Sequence, residues 1–124
     1  MPEELRYTTE HEWVRLSGDV AEVGITDYAQ EAMGDIVYVS MPNVGDAVEA
    51  GQPCGEVEST KSVSDIYAPV SGTVVATNEL LDSEPQAINQ APYGEGWLFK
   101  VQLVDAAQVD GLLSHVQYEE HTRA

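Results

Sequence analysis

Lys61 and Lys100 are the lysines of this 124-residue chain, and Lys61 stands where an amine is presented for chemistry. The stretch Gly55-Glu56-Val57-Glu58-Ser59-Thr60-Lys61-Ser62-Val63-Ser64-Asp65-Ile66-Tyr67-Ala68 reads as two short β runs meeting at a tip. On the way in, Val57 and Ser59 alternate with Glu56 and Glu58; on the way out, Val63, Asp65 and Tyr67 alternate with Ser64, Ile66 and Ala68. Polar Ser59, Thr60 and Ser62 mark the bend. Such a tip holds a lysine amine in water while flanking apolar residues anchor the hairpin. That is the geometry a lysine needs if another enzyme must modify it, although an exposed lysine taken alone is ordinary solvated surface.

Few other side chains compete as reactive groups. Cys54 is the single cysteine, so no internal disulfide is expected. A catalytic thiolate needs a base beside it, and His11, His115 and His121 lie far from Cys54 in sequence. A lone cysteine leading into a strand reads as a small buried apolar residue. The same histidines lack metal-ligand spacing, so no metal site is expected. The formal charge is −17, from 22 acids against 5 bases. That balance repels phosphate backbones, which excludes nucleic acid as a direct partner, and it steers the chain toward basic faces on proteins. No apolar run reaches membrane-spanning length, and Met1-Pro2-Glu3-Glu4 lacks the basic start of a targeting peptide. A cytoplasmic location without membrane contact is the expectation, as one domain over residues 1–124.

The elements that must position Lys61 are mostly strands. His11 to Leu16 and Val20 to Ile25 read as a hairpin turning at Gly18. Thr26 is a candidate N-cap for a short helix from Asp27 to Met33, with Gly34 placed to end it. Ile36-Val37-Tyr38-Val39, apolar on both faces, is the candidate for the most buried strand. Leu80 to Pro85 reads as a loop with a helical turn starting at Pro85, and Ala91 to Gly96 as an irregular connection. Trp97, Phe99, Val101 and Leu103 alternate as one strand with its aromatics on one face. Two short C-terminal helices follow, roughly Ala106 to Asp110 and His115 to Glu120, with capping-box pairs Asp105/Gln108 and Ser114/Gln117. Val109, Leu112, Leu113 and Val116 should pack them against the sheet.

An internal repeat ties these elements together. Pro42 to Gly51 aligns with Pro69 to Asn78 at a constant offset of 27, with proline, glycine and valine coinciding. Two copies are too few for a solenoid; a quasi-two-fold pair of β units in a flattened barrel or sandwich explains them. The same offset sets Met33-Gly34-Asp35 opposite Thr60-Lys61-Ser62, so the lysine tip has a glycine-containing counterpart.

Six blocks then carry a resemblance over nearly the whole chain: His11-Glu12-Trp13, Gly24 to Gln30, Gly34 to Val39, Glu58-Ser59-Thr60-Lys61, Ala68-Pro69-Val70-Ser71-Gly72 and Pro92 to Trp97. In this order they resemble the glycine cleavage system H-protein family. The resemblance implies a mostly β fold, a lipoyl/biotinyl-type barrel-sandwich hybrid with short peripheral and C-terminal helices. It implies a carrier without catalytic turnover, bearing lipoate in amide linkage on Lys61. Glu58 corresponds to the acid that lipoate-attaching enzymes recognise, while Gly45 and Gly72 match glycines with a role in turn geometry.

The family's partners follow from the same resemblance. Glycine decarboxylase, the P protein, loads an aminomethyl group on the dithiolane. Aminomethyltransferase, the T protein, passes the methylene to tetrahydrofolate and releases ammonia. Dihydrolipoamide dehydrogenase, the L protein, then restores the disulfide. A flexible arm lets one reactive group visit each active site at high local concentration. The loaded arm folds onto a cleft, where Glu12 and Asp65 fall at positions that contact its amine; Glu10 departs from the serine often found there. A monomer is expected. Related carriers fit less well: a biotin carrier flanks its lysine with methionine, whereas Thr60 and Ser62 flank Lys61. A lipoyl domain of a 2-oxo acid dehydrogenase is usually linked to a catalytic domain that this chain lacks. An H-like protein that donates lipoate to other complexes is the hardest rival, because sequence alone does not separate relay from glycine cleavage.

Overall fold

In the computed structural model, which describes residues 5–123, the alternating runs become two antiparallel sheets; the Met1-Pro2-Glu3-Glu4 start lies outside the described residues. The larger sheet has the order β1 (Arg6–Tyr7), β2 (Glu12–Ser17), β3 (Val20–Ile25), β9 (Phe99–Leu103), β8 (Gly72–Thr77), β5 (Ala47–Val48). The smaller has β6 (Pro53–Ser59) between β4 (Ile36–Ser40) and β7 (Val63–Tyr67). Both sheets feed one core, in which Val23, Val57, Ile66, Val74, Phe99 and Val101 are buried together. A second cluster of Leu5, Tyr7, Trp13 and Tyr118 lies outside it. Removal of these apolar surfaces from water is the main drive for the fold. Among the described residues no helix is long and apolar enough to cross a membrane.

Local signals hold where backbone chemistry decides. The Thr26 hydroxyl accepts the Ala29 N–H at 3.2 Å and opens α1 (Asp27–Met33). Gly34, with φ 87°, closes α1 through its N–H on the Gln30 carbonyl. Ser114 and Gln117 form a complete capping box before α4 (His115–Arg123): Ser114 N–H meets Gln117 Oε1 at 2.9 Å and Gln117 N–H meets Ser114 Oγ at 3.3 Å. The repeat is real in space, since an offset of 27 carries β4 onto β7, the two edges of one sheet. The shorter copies pair with each other, Ala47 with Thr73 and Val48 with Gly72.

Six expectations are corrected. The Ile36–Val39 run is not the most buried strand: β4 is an edge with a register shift between Ile36 and Tyr38, which leaves Val37 48% and Tyr38 59% exposed. Leu80–Ser83 is a helical turn, α2, and the next, α3, starts at Ala87 after Pro85 and runs to Gln90. Trp97 lies before β9 and packs on the second cluster, while Phe99 enters the main core, because Leu98 N–H binds the Val23 carbonyl and Leu98 itself turns inward. Gln108 leaves its expected capping box to clasp the Ser71 main chain, so Asp105 alone caps the 3₁₀ turn Ala106–Gly111. Val116 is exposed, and Tyr118 is the side chain that anchors α4. Of the two glycines expected in turns, Gly45 has φ 97°, whereas Gly72 is a close approach: a Cβ there would lie 2.1 Å from the Gln102 carbonyl.

Candidate functional site

Ser59 builds the lysine tip. Its buried hydroxyl accepts the N–H groups of Lys61 at 3.1 Å and Ser62 at 3.0 Å, and its own N–H binds the Ser62 carbonyl at 2.8 Å. Thr60 N–H reaches across to the Asp35 carbonyl at 3.2 Å, which ties the tip to its repeat counterpart. A short serine side chain bonding the main chain two and three residues on is a turn device. In the sequence Ser59 stands out only as part of the bend, although a serine two residues before the tip carries this signal. Lys61 is exposed, and its stem passes over Gly34: a Cβ on Gly34 would stand 3.1 Å from Lys61 Cε. Glu58 is exposed on the outer face of the hairpin, paired in register with Tyr38 and Val63.

Beyond Gly34 a cleft of about 190 Å³ runs between α1 and β7. Tyr28, Ala29, Ala32 and Met33 share one face of α1 and form one wall. Ser64, Asp65 and Ile66 form the other, and Glu10, His11 and Glu12 close the end. Glu12 and Asp65, the two acids expected to act together, therefore line the same cleft, and Glu10 joins them. Asp65 is exposed at the rim. Glu12 is only 2% exposed, with the Thr8 hydroxyl donating to Oε1 at 2.6 Å and the Tyr67 N–H to Oε2 at 3.2 Å. Burial pushes its carboxyl up to about 7, against the pull of those two hydrogen bonds. An arriving cation would favour the ionised form and be held by it.

A second layer backs the closed end. His11 has φ 70°, the one positive value outside glycine among the described residues, and its carbonyl accepts the Thr26 N–H at 3.0 Å. Tyr118 on α4 bridges His11 Nδ1 and the Thr26 hydroxyl, each at 2.7 Å, and the His121 ring lies 5.7 Å from that of His11. Burial first and His121 second pull the His11 pKa below its ordinary value. Two histidines distant in sequence thus meet, a proximity that linear spacing did not show. Among the described residues no group of three or more His, Cys, Asp or Glu side chains could hold a metal ion. Cys54 lies at the far end of β6, in a more open hollow of about 440 Å³ with Pro42, Val48 and Pro53, and burial raises its thiol to about 11. The thiol is therefore protonated at neutral pH and packs as a small apolar group.

Three comparisons bear on this geometry. The sequence model of the glycine cleavage H-protein family matches residues 5–124. A glycine cleavage system H protein of Micrococcus luteus is 57% identical over 124 residues, 98% of this chain and 97% of that protein. One from Alcanivorax borkumensis is 55% identical over 119 residues, 96% of this chain and 93% of that protein. The crystal structure of a glycine cleavage system H protein from Mycobacterium marinum superposes with a TM-score of 0.91 at 42% identity, covering 100% of both chains.

Proposed function

This chain belongs to the glycine cleavage H-protein family, the lipoyl carriers of the glycine cleavage system, and from that premise we propose that Lys61 is its lipoyl attachment point. The observation that carries the reading is the lysine tip: Ser59 holds its turn by hydrogen bonds, and the Lys61 stem lies over Gly34, next in sequence to Met33 of a cleft that ends on a buried carboxylate. When attached, lipoate supplies a dithiolane that accepts the aminomethyl group and carries it between partner enzymes. The chain's own residues do the rest. Ser59 and Asp35 fix the tip, and Gly34 leaves room for the stem. Glu58, outside the cleft, is the acid a lipoate-attaching enzyme reads on approach. Ile25, Met33, Val57 and Ile66 give the cleft an apolar lining suited to a dithiolane and poor in water. Glu12, with Asp65 at the rim, holds the arm's protonated amine.

In this reading the protein is a single carrier domain, a cytoplasmic monomer that performs no turnover alone. It meets a glycine decarboxylase, an aminomethyltransferase, dihydrolipoamide dehydrogenase and a lipoate-attaching enzyme. Its strong acidity suits basic docking faces on each. Intact mass with peptide mapping decides the attachment: lipoyl mass on the peptide containing Lys61 is expected, and its loss in Lys61→Arg. Bare or biotinylated Lys61 after expression with the attaching enzyme sinks the reading. The lipoylated protein should also stimulate glycine–bicarbonate exchange by the purified decarboxylase, with Lys61→Arg at background.

A further inference from the structure

We propose that the main-chain N–H of Val63, on the open edge of β7, donates to the carbonyl of the amide formed on Lys61, so that the attached arm lies along β7 as a surrogate strand. The inference rests on Lys61 being the attachment point. Hydrogen-bond direction along β7 is fixed by contacts on both sides. Ser59 N–H binds the Ser62 carbonyl and Ala68 N–H binds the Gln52 carbonyl, so the even-numbered residues face β6. Main-chain groups alternate in direction along a strand, so Val63, Asp65 and Tyr67 face away from β6. Tyr67 does so visibly, since its N–H leaves the sheet for Glu12. Among the described residues no strand lies beyond β7, and Ser64, Asp65 and Ile66 of that strand line the cleft.

The molecule already shows this arrangement once. By the repeat offset Val63 corresponds to Ile36 and Lys61 to Gly34. The Ile36 N–H points off the edge of β4, where a side-chain amide meets it: Asn89 Oδ1 accepts it at 2.9 Å. Reach agrees as well. Five bonds from Lys61 Cα to Nζ span about 6 Å at roughly 1.2 Å per bond, and two residues of strand span about 6.6 Å. An amide on Nζ therefore arrives beside Val63, and the remainder of the arm continues along the edge toward Asp65 and Glu12.

Amide hydrogen exchange by NMR tests the seat on the lipoylated protein, before and after loading with glycine and the decarboxylating partner, with the unmodified protein as reference. Val63 is expected to exchange about tenfold more slowly in the loaded form, while Ser64, already in the ladder, changes by less than about twofold. Val63→Pro removes this N–H at an edge position outside the ladder, and its loaded arm should lose its group about fivefold faster than wild type. The exchange measurement needs no variant, so it stands even if Val63→Pro fails to fold. Added mass on Lys61 with unchanged Val63 exchange overturns the seat alone. Absence of added mass on Lys61 overturns the attachment reading and the seat with it.

Discussion

β4 and β7 are repeat-mates and the two edges of one sheet, yet the protein treats them in opposite ways. On β4 the Asn89 side chain takes the Ile36 N–H and returns two bonds, to the Gly34 carbonyl at 2.8 Å and Gln30 Oε1 at 2.9 Å. α2 packs beside this strand, and a bulge turns Val37 and Tyr38 to the outside. On β7 the Tyr67 N–H is taken by a buried carboxylate, and Ser64, Asp65 and Ile66 before it border the cleft. An open edge invites pairing with foreign strands, and proteins blunt it with charge, bulges or covering elements. β4 is covered; β7 carries the exposed Asp65 and borders the cleft. One edge stays uncovered where its mate is closed, and the uncovered one adjoins the lysine tip, two residues away.

The largest expected effect comes from opening the closed edge. Asn89→Leu strands the Ile36 N–H and the Gly34 carbonyl, and should lower stability by about 3 kcal/mol in urea unfolding. A loss below about 1 kcal/mol would mean that β4 is held by packing and that the comparison of edges is misplaced. Glu12→Gln probes the other edge. The Glu12 carboxyl sits near 7 in the fold against 4.5 for the ordinary group, so the native state holds the extra proton between those values. Its contribution to stability is therefore complete below 4.5 and is lost as pH rises through about 7. Glu12→Gln should be about 2 kcal/mol more stable than wild type at pH 8 and equal to it at pH 4. The same variant should lose the loaded group about tenfold faster, because the amine loses the buried carboxylate at the closed end of the cleft and keeps only the rim acids Asp65 and Glu10. A variant less stable than wild type at pH 8 would show that Glu12 is a brace for Tyr67 and Thr8, not a site kept at a cost to the fold. Gly34→Ala sharpens the symmetry of the two tips. With φ 87° and ψ −154°, and Lys61 Cε 3.1 Å from the new Cβ, it should cost about 1 to 2 kcal/mol by thermal melt. It should also slow lipoylation of Lys61 in an initial-rate assay by about threefold or less; an unchanged rate would show that the stem does not need the glycine.

Much of the site was legible because its parts are local. Alternation through Val57 and Ile66 gave the hairpin, Thr26 and Gly34 gave the limits of α1, and the Glu58-Ser59-Thr60-Lys61 block singled out the lysine. Glu12 and Asp65 came from motif resemblance, and the cleft they share is visible only in three dimensions. The misses have a common cause. Ile36–Val39 looked central because four apolar residues in a row suit a strand buried on both faces, but a bulge redirects side chains without any change in composition. Val116 and Tyr118 both offered apolar surface to α4, and only the stacking of Tyr118 on Tyr7, centroids 4.7 Å apart, decided which turned inward.

The sequence by itself determined the strand alternation, the caps, the repeat and the lysine at a polar tip, since each depends on residues a few positions apart whose backbone preferences act within one turn or one hairpin. Tertiary structure alone decided which repeat-mate is the open edge, that His11 and His121 meet, and that Glu12 is buried beneath Tyr67. Those outcomes join residues 53 to 110 positions apart, Ile36 to Asn89, Glu12 to Tyr67 and His11 to His121. Pairing at that distance is set by how whole sheets pack, which no local pattern records.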